Sequence, residues 1–539
     1  MRSVTFGPGP LSDSAALDQL AAFEADQITA CLRQVREPVH IVGTADGGRR
    51  GLALDGEVAG LEAAGCPRLG TLPALYPEWL GDREFCEVHG VRFPYVAGEM
   101  ARGIATTRMV IAVARAEMLG IFGAAGLDPA AIERAIGELH AALGPGRPWG
   151  VNLIHSPAEP ALEERTAELL VRTGVPIISA SAYMDITAPL ARCAAAGLRV
   201  DAVGRIVRPV RIFAKVSRPE VAEKFMSPAP ASLLAALVAR GQLTGDEARL
   251  AALVPVAEDV TVEADSGGHT DNQPLGAMLP AILALRDEIA ARHSYRRRIR
   301  IGAAGGLGSP QAVAGAFALG AAYVLTGSVN QLAVESGVSD DARALLAQAD
   351  LADVMMAPAA DMFEMGVQVQ VLRRGTMFGP RARRLYDVYR EHASIEELPP
   401  AVRATLERDV LHESLDEVWA QTESFWQQRD PAQLTRAASD GRHRMALIFR
   451  WYLGNSSRWA AEGDTARRAD YQLWAGPAVG AFNRWTAGSF LARPGERTVR
   501  QIALNLLEGA AVVTRAHQAR TYGVPLSAQA FTFVPRRLD

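Results

Sequence analysis

Cysteine is scarce in this chain: Cys31, Cys66, Cys86 and Cys193 are the only four in 539 residues. None stands in a CxxC or Cys/His ligand spacing, which argues against a disulfide frame and a zinc site and for free thiols in a reducing compartment. A strong excess of either charge sign is missing as well. The net charge of −4 leaves no basic field for nucleic acid. No long apolar run is present either. The nearest candidate, 303–326, is rich in Gly and Ala and broken by Ser309-Pro310-Gln311, so a packed strand-loop-helix-strand explains it better than a membrane span. The start Met1-Arg2-Ser3-Val4 lacks the apolar segment of a secretory signal. The expectation is a cytoplasmic protein with no membrane, nucleic-acid or metal partner. Low-complexity tracts are absent, and the βα unit is the one repeat.

What is present is ordinary globular composition, with 49% apolar and 22% charged residues, in a chain long enough for two or three domains. Residues 1–90 read as a small α/β cap, with a strand at Val39–Val42 and a turn at Gly47-Gly48. From residue 91 to 380 apolar strands alternate with amphipathic helices. The expected strands are Phe93–Ala97, Leu119–Phe122, Trp149–Leu153, Val175–Ser179, Arg211–Lys215, Asp259–Ala264, Ile299–Ala303 and Ala322–Thr326. Eight strands with intervening helices predict an α/β fold of the (β/α)8 TIM-barrel type; an open doubly wound sheet is the alternative. The stretch 218–257 exceeds a crossover and reads as a helical insertion after strand five. Residues 381–539 read as a C-terminal α-helical domain, and their aromatic clusters (Phe449-Arg450-Trp451-Tyr452, Tyr471-Gln472-Leu473-Trp474) as core.

Barrels do their chemistry at the C-terminal strand ends. Those ends are Gly98-Glu99-Met100, Asn152, Ser179–Tyr183, Lys215, Asp265–Asn272, Gly305-Gly306 and Gly327-Ser328. The run Glu263–Asn272 is the richest of them. Gly267 and Gly268 let a flat ligand approach the backbone, and His269 beside them moves protons near neutral pH. Gly305-Gly306-Leu307-Gly308-Ser309 and Gly327-Ser328 follow strands seven and eight, where barrels often hold phosphate. Lys215 fits either a surface lysine or a cation on a bound ring or phosphate, and Asn152 either a cap or a ring contact. Met100 fits either core or a ring contact, and His155 and Tyr183 are weaker site candidates.

With these residues the chain resembles the FMN-dependent nitronate monooxygenase/enoyl-reductase superfamily. Its members carry Gly-Gly-His after the sixth strand, Asn after the third, Lys after the fifth and Gly-Gly after the seventh. Longer segments resemble its trans-acting enoyl reductases of polyunsaturated fatty acid and polyketide synthases (PfaD type). These are 150–157, 214–218, 263–272, 360–367, 374–378 and 449–454. The approach to Gly267, Val262-Glu263-Ala264-Asp265, departs from the broader superfamily. The resemblance implies reduction of 2,3-enoyl thioesters on an acyl carrier protein, with NADPH or NADH as hydride donor. It implies FMN bound by Gly98, Glu99, Met100, Asn152, Lys215, Gly267, Gly268, Gly305, Gly306, Gly327 and Ser328. His269 would serve the proton or the enolate oxygen. A homodimer is left open. A flavin oxidase of the nitronate monooxygenase kind and a non-catalytic synthase scaffold are the rival readings.

Overall fold

A computed structural model describes residues 21–157 and 159–539; residues 1–20 of the expected cap, and Ala158, lie outside the described residues. Three antiparallel strands, β1 (Val39–Gly43), β2 (Arg50–Leu54) and β3 (Arg68–Leu72), form a sheet in the order β2-β1-β3. The barrel follows. Its strands are β4 (Tyr95–Ala97), β5 (Leu119–Phe122), β6 (Trp149–Ile154) and β7 (Ile177–Ser181), then, after a small hairpin β8 (Arg199–Val200)/β9 (Ile206–Val207), β10 (Arg211–Val216) and β11 (Asp259–Glu263). The two-residue β12 (Gly268–His269) leads on to β13 (Arg300–Ala304) and β14 (Val324–Thr326). Eight parallel strands close in the order β10-β11-β13-β14-β4-β5-β6-β7, so the closed barrel, not the open sheet, is the architecture.

Local chemistry explains the regularity. Strands such as β5, β13 and β14 are buried at every position, as parallel strands covered on both faces must be. Helices open on side-chain caps followed by proline: Asp128 before Pro129 and Ser309 before Pro310, the cap accepting an orphan N–H and proline giving up none. Within 218–257 the helix Pro219–Met226 packs on β10, β11 and the helix Leu275–His293, as a crossover does. The helices Ala231–Ala239 and Gly245–Ala251 are the additional ones, packed on the helix Ala188–Ala195.

The barrel's N-terminal mouth is plugged. Asp259 and Arg300, both fully buried, share two 2.7 Å hydrogen bonds, and His89 Nε2 lies 3.0 Å from the same carboxylate. The guanidinium and imidazole outweigh burial and hold the Asp259 carboxyl well below the usual carboxylate range. At the opposite mouth the chain adds an element with no strand expectation in the sequence. β15 (Val354–Pro358) and β16 (Gln368–Leu372) form a hairpin, and β12 pairs with β16, Gly268 opposite Gln370 and His269 opposite Val369. The C-terminal part of the chain shares the barrel's hydrophobic core through Phe449, Tyr452 and Leu453 of the helix Gly441–Glu462 and through Leu473 after it. The long helix Val499–Thr521 packs on the barrel helix Pro310–Ala318. Its Ala516 and Ala519 join Val39, Ile41 and Leu72 of the N-terminal sheet in one small core.

Candidate active site

A cavity of about 320 Å³ opens at the C-terminal mouth of the barrel, at the lower end of the range for small-molecule sites. Its floor is polar. The Lys215 ammonium lies 2.9 Å from Glu263 Oε1 and 3.5 Å from Glu99 Oε1. Burial alone would lower the lysine's pKa, but the two carboxylates outweigh it and push it up, so Lys215 is a permanent cation. Ser179 Oγ donates to the same Glu99 oxygen at 3.0 Å, while Glu99 Oε2 is buried without a partner among the described residues. Asn152 uses its amide N–H groups on Ser179 O (3.0 Å) and Ser181 Oγ (2.9 Å).

His269 stands on one wall. Its Nε2 lies 3.2 Å from Asp361 Oδ1. Burial would lower its pKa; the Asp361 hydrogen bond and charge overcome that and raise it. The loop around it is tied down on three sides. Asp271 takes Arg218 at 3.0 Å twice and Ser217 at 2.5 Å. Gln370 donates to Asp265 at 2.5 Å. The β12–β16 pairing is the third tie.

The glycines divide into two kinds. A Cβ on Gly267 would come within 2.8 Å of the Ala475 backbone, and one on Gly476 within 2.9 Å of Gly267 N; both serve close packing of two chain segments. Gly305, at φ +87°, faces the Ala264 and Asp265 backbone at 2.7 and 2.9 Å. Gly268 (φ +83°) and Gly306 (φ +70°) instead have open space where a side chain would be. They are the bare backbone in the cavity wall. Gly306 precedes the helix that Ser309 caps, and Gly327 precedes a 3-10 turn at Ser328–Leu332; the strands before these two loops, β13 and β14, are paired neighbours in the barrel.

Glu99, Met100, Asn152, Lys215 and His269 all line this cavity, together with Gly267, Gly268, Gly305, Gly306, Gly327 and Ser328. Gly98 is the exception: its bare face abuts the Leu325 side chain and it is not in the lining. His155 and Tyr183 stack behind the wall at 5.1 Å, and His155 Nδ1 bonds Glu163 at 2.8 Å. Asp361 lies in the segment 360–367, where no single residue stands out by sequence. Arg429, Leu453, Gly454, Gln472 and Trp474 also line the cavity, although nothing in the sequence singles them out as site residues; they reach the mouth because the C-terminal part of the chain folds over it. With its amide oriented to satisfy its neighbours, Gln472 donates to Leu453 O at 3.0 Å and accepts from Trp474 Nε1 at 3.1 Å, which fixes that roof. Composition does single out one site residue: Lys215 is one of only two lysines in the chain, with Lys224.

A family model for nitronate monooxygenase matches residues 83–383, which span the whole barrel and more than half the chain. The chain belongs to the nitronate monooxygenase family. Within it, relatives place the chain on the PfaD-type branch. It is 45% identical over 448 residues to a polyunsaturated fatty acid synthase polypeptide of Thraustochytrium sp. (82% of this chain, 30% of that protein). It is 46% identical over 443 residues to "Polyketide biosynthesis protein ThaF" of Burkholderia thailandensis (82% and 38%). The chain thus spans about a third of each of these curated relatives. A solved structure, the enoyl reductase domain of MlnA from the macrolactin cluster of Bacillus amyloliquefaciens, superposes with a TM-score of 0.78 at 36% identity, covering 82% of this chain and 99% of that one. The inserted helical domain of [acyl-carrier-protein] S-malonyltransferase matches residues 392–471, the helices that roof the cavity. No helix among the described residues is long and apolar enough to cross a membrane. No group of three or more His, Cys, Asp and Glu side chains there is placed to hold a metal.

Proposed function

We propose that this chain is an FMN-dependent enoyl-thioester reductase acting in trans on carrier-bound acyl chains of a polyketide or polyunsaturated fatty acid synthase, with NADPH or NADH as hydride donor. The observation that carries the reading is the cavity. Open glycine backbone at Gly268 and Gly306 and the cation Lys215 meet there with a histidine held by a carboxylate, in a chain that is 36% identical to an enoyl reductase domain. Bare backbone at Gly268 and Gly306 accepts a flat ring and a phosphate, and the unpartnered Glu99 Oε2 awaits a donor. Gly305, Gly306, Gly327 and Ser328 would hold the phosphate, while Asn152, Lys215 and the Glu99-Met100 turn would hold the ring.

Bound flavin supplies the hydride chemistry. The chain's own residues do the rest. Lys215 keeps a positive charge on the floor that favours an anionic ring. Asp361 holds His269 Nε2, which leaves Nδ1 to present a proton to the cavity, for the α-carbon or the enolate oxygen of the thioester. The Gln472–Trp474 roof excludes water. An acyl carrier protein would deliver the substrate from the side of the helices 392–471.

The test is optical. Purified protein is expected to show flavin absorption, to bleach with NADPH without oxygen, and to recover on adding a crotonyl thioester. A bleached form that recovers only with air would favour the oxidase chemistry that the family name carries, and a colourless protein that takes up no FMN would end the reading.

A further inference from the structure

Arg102 holds a left-handed backbone conformation that a side chain rarely adopts, with φ +57°. Its amide donates to Ala125 O at 2.7 Å, and its Cγ lies 3.3 Å from where a Cβ on Gly126 would sit. The side chain is thereby laid along the loop after β5. Its guanidinium enters the cavity, with Nη2 3.7 Å from the Cβ position of Gly454 on the roof helix Gly441–Glu462. Among the described residues that guanidinium has neither a hydrogen bond nor an ion pair.

Two more arginines lie near enough for their charge to be felt at it. Arg458 stands one turn beyond Gly454 on the same helix, exposed and likewise without a carboxylate among the described residues. Arg429 lines the same cavity but is held by Glu159 at 2.5 and 3.1 Å. Burial first, then Arg458 and Arg429, lower the Arg102 pKa, the mark of cations crowded together without an anion. Glu163, the nearby acid in the lining, is taken up by His155 and Thr187 at 2.8 and 2.6 Å. A strained, uncompensated guanidinium aimed into a cavity persists where a ligand uses it. In the barrel order β14-β4-β5 the Arg102 loop leans toward β5, away from the Gly305-Gly306 and Gly327-Ser328 loops.

We propose that Arg102 and Arg458, backed by Arg429, form a second anion subsite at the cavity rim that takes a phosphate ester of the incoming substrate or hydride donor. This rests on the reductase reading for the ligand's identity. The same chemistry has two sources, the phosphodiester of a carrier's phosphopantetheine arm and the phosphates of NADPH.

Calorimetric titration of the purified protein with 4′-phosphopantetheine, pantetheine and NADPH separates them. The wild-type protein is expected to prefer phosphopantetheine over pantetheine. Arg102→Gly, which removes the guanidinium and relieves the positive φ, and exposed Arg458→Ala should each erase that preference, worth roughly ten- to hundredfold for charge-assisted bonds. If the variants weaken NADPH alone, the subsite stands with the dinucleotide as its source. No phosphate preference in the wild type together with unaltered NADPH binding in both variants overturns it. Crotonyl turnover is read separately: a protein that binds phosphate through Arg102 yet never reduces the thioester refutes the reductase reading and leaves the subsite.

Discussion

His269 Nε2 lies 3.2 Å from Asp361 Oδ1, across 92 residues of sequence. The contact exists because β12 pairs with β16, whose hairpin carries Asp361 in its turn between Pro358 and Gln368. The carboxylate favours the protonated form of a histidine in a half-buried wall.

The pair sets a pH dependence. His269 is raised above 6.5, so the stability it adds is complete below that value and is lost as pH rises through the folded pKa. Asp361 is lowered below 3.8, chiefly by the His269 hydrogen bond against the pull of burial. Its contribution is present above 3.8 and is lost as pH falls through the depressed value. The stabilisation from the pair is therefore greatest between pH 3.8 and 6.5. Asp361→Asn should lower the His269 pKa, seen by NMR titration of the ring, and shift the alkaline limb of turnover to lower pH. His269→Ala should cost about 10²–10⁴-fold in turnover. An Asp361→Asn protein with an unmoved titration would leave the aspartate without a role in holding the proton.

Gly306 and Gly305 are adjacent and should respond differently to alanine. At Gly306 a Cβ meets nothing within 4 Å, so Gly306→Ala costs about 1–2 kcal/mol for the φ of +70° and places a methyl in the cradle. Loss of bound flavin from a protein that still folds is the expected result. Gly305→Ala adds a collision with Ala264 and Asp265 to the same φ cost, and should lower the melting temperature further. Flavin content and thermal melts of both variants check this. Equal flavin retention in Gly306→Ala and wild type would remove Gly306 from the cradle.

Much of this was legible locally. The helix Pro129–Leu143 begins where the local sequence supplies the Asp128 cap and Pro129, and Leu275–His293 ends where Ser294 turns left-handed. β5 is apolar throughout and most positions of the other barrel strands are apolar too, a pattern that needs no partner to be read. The hairpin Val354–Leu372 was not legible as a partner of Gly268–His269, because a two-residue strand has no periodicity and its pairing spans a hundred residues. Arg102 carried no signal, since its strain lives in φ. Trp474 belongs to an aromatic cluster read as core and Gly454 to the segment 449–454 given only for the resemblance, and their places in the cavity wall come from packing over the mouth that no local pattern encodes. Gly267 and Gly268 are alike in sequence; they differ in backbone, only Gly268 having a positive φ, and in what stands opposite each.

Two buried charge networks at the two mouths of one barrel should fail differently. Arg300 at the N-terminal mouth pairs with Asp259, both fully buried, and touches nothing in the cavity. Arg300→Met strands that carboxylate with His89 alone and should cost about 3–5 kcal/mol, while the protein that remains folded keeps its flavin and its turnover. Lys215 is as tightly paired, with 13% of its side chain exposed, but its partners line the cavity. Lys215→Met leaves Glu99 and Glu263 with only the Ser179 and Ser266 hydroxyls. A comparable stability loss should then come with loss of flavin, because two uncompensated carboxylates repel an electron-rich ring. Adding Glu263→Gln to Lys215→Met removes one of those charges, so stability should return in part. Flavin binding should lag behind, since the cation is still gone. A Lys215→Met protein that melts like the wild type and stays yellow would mean that the cation matters neither to the floor nor to the ring.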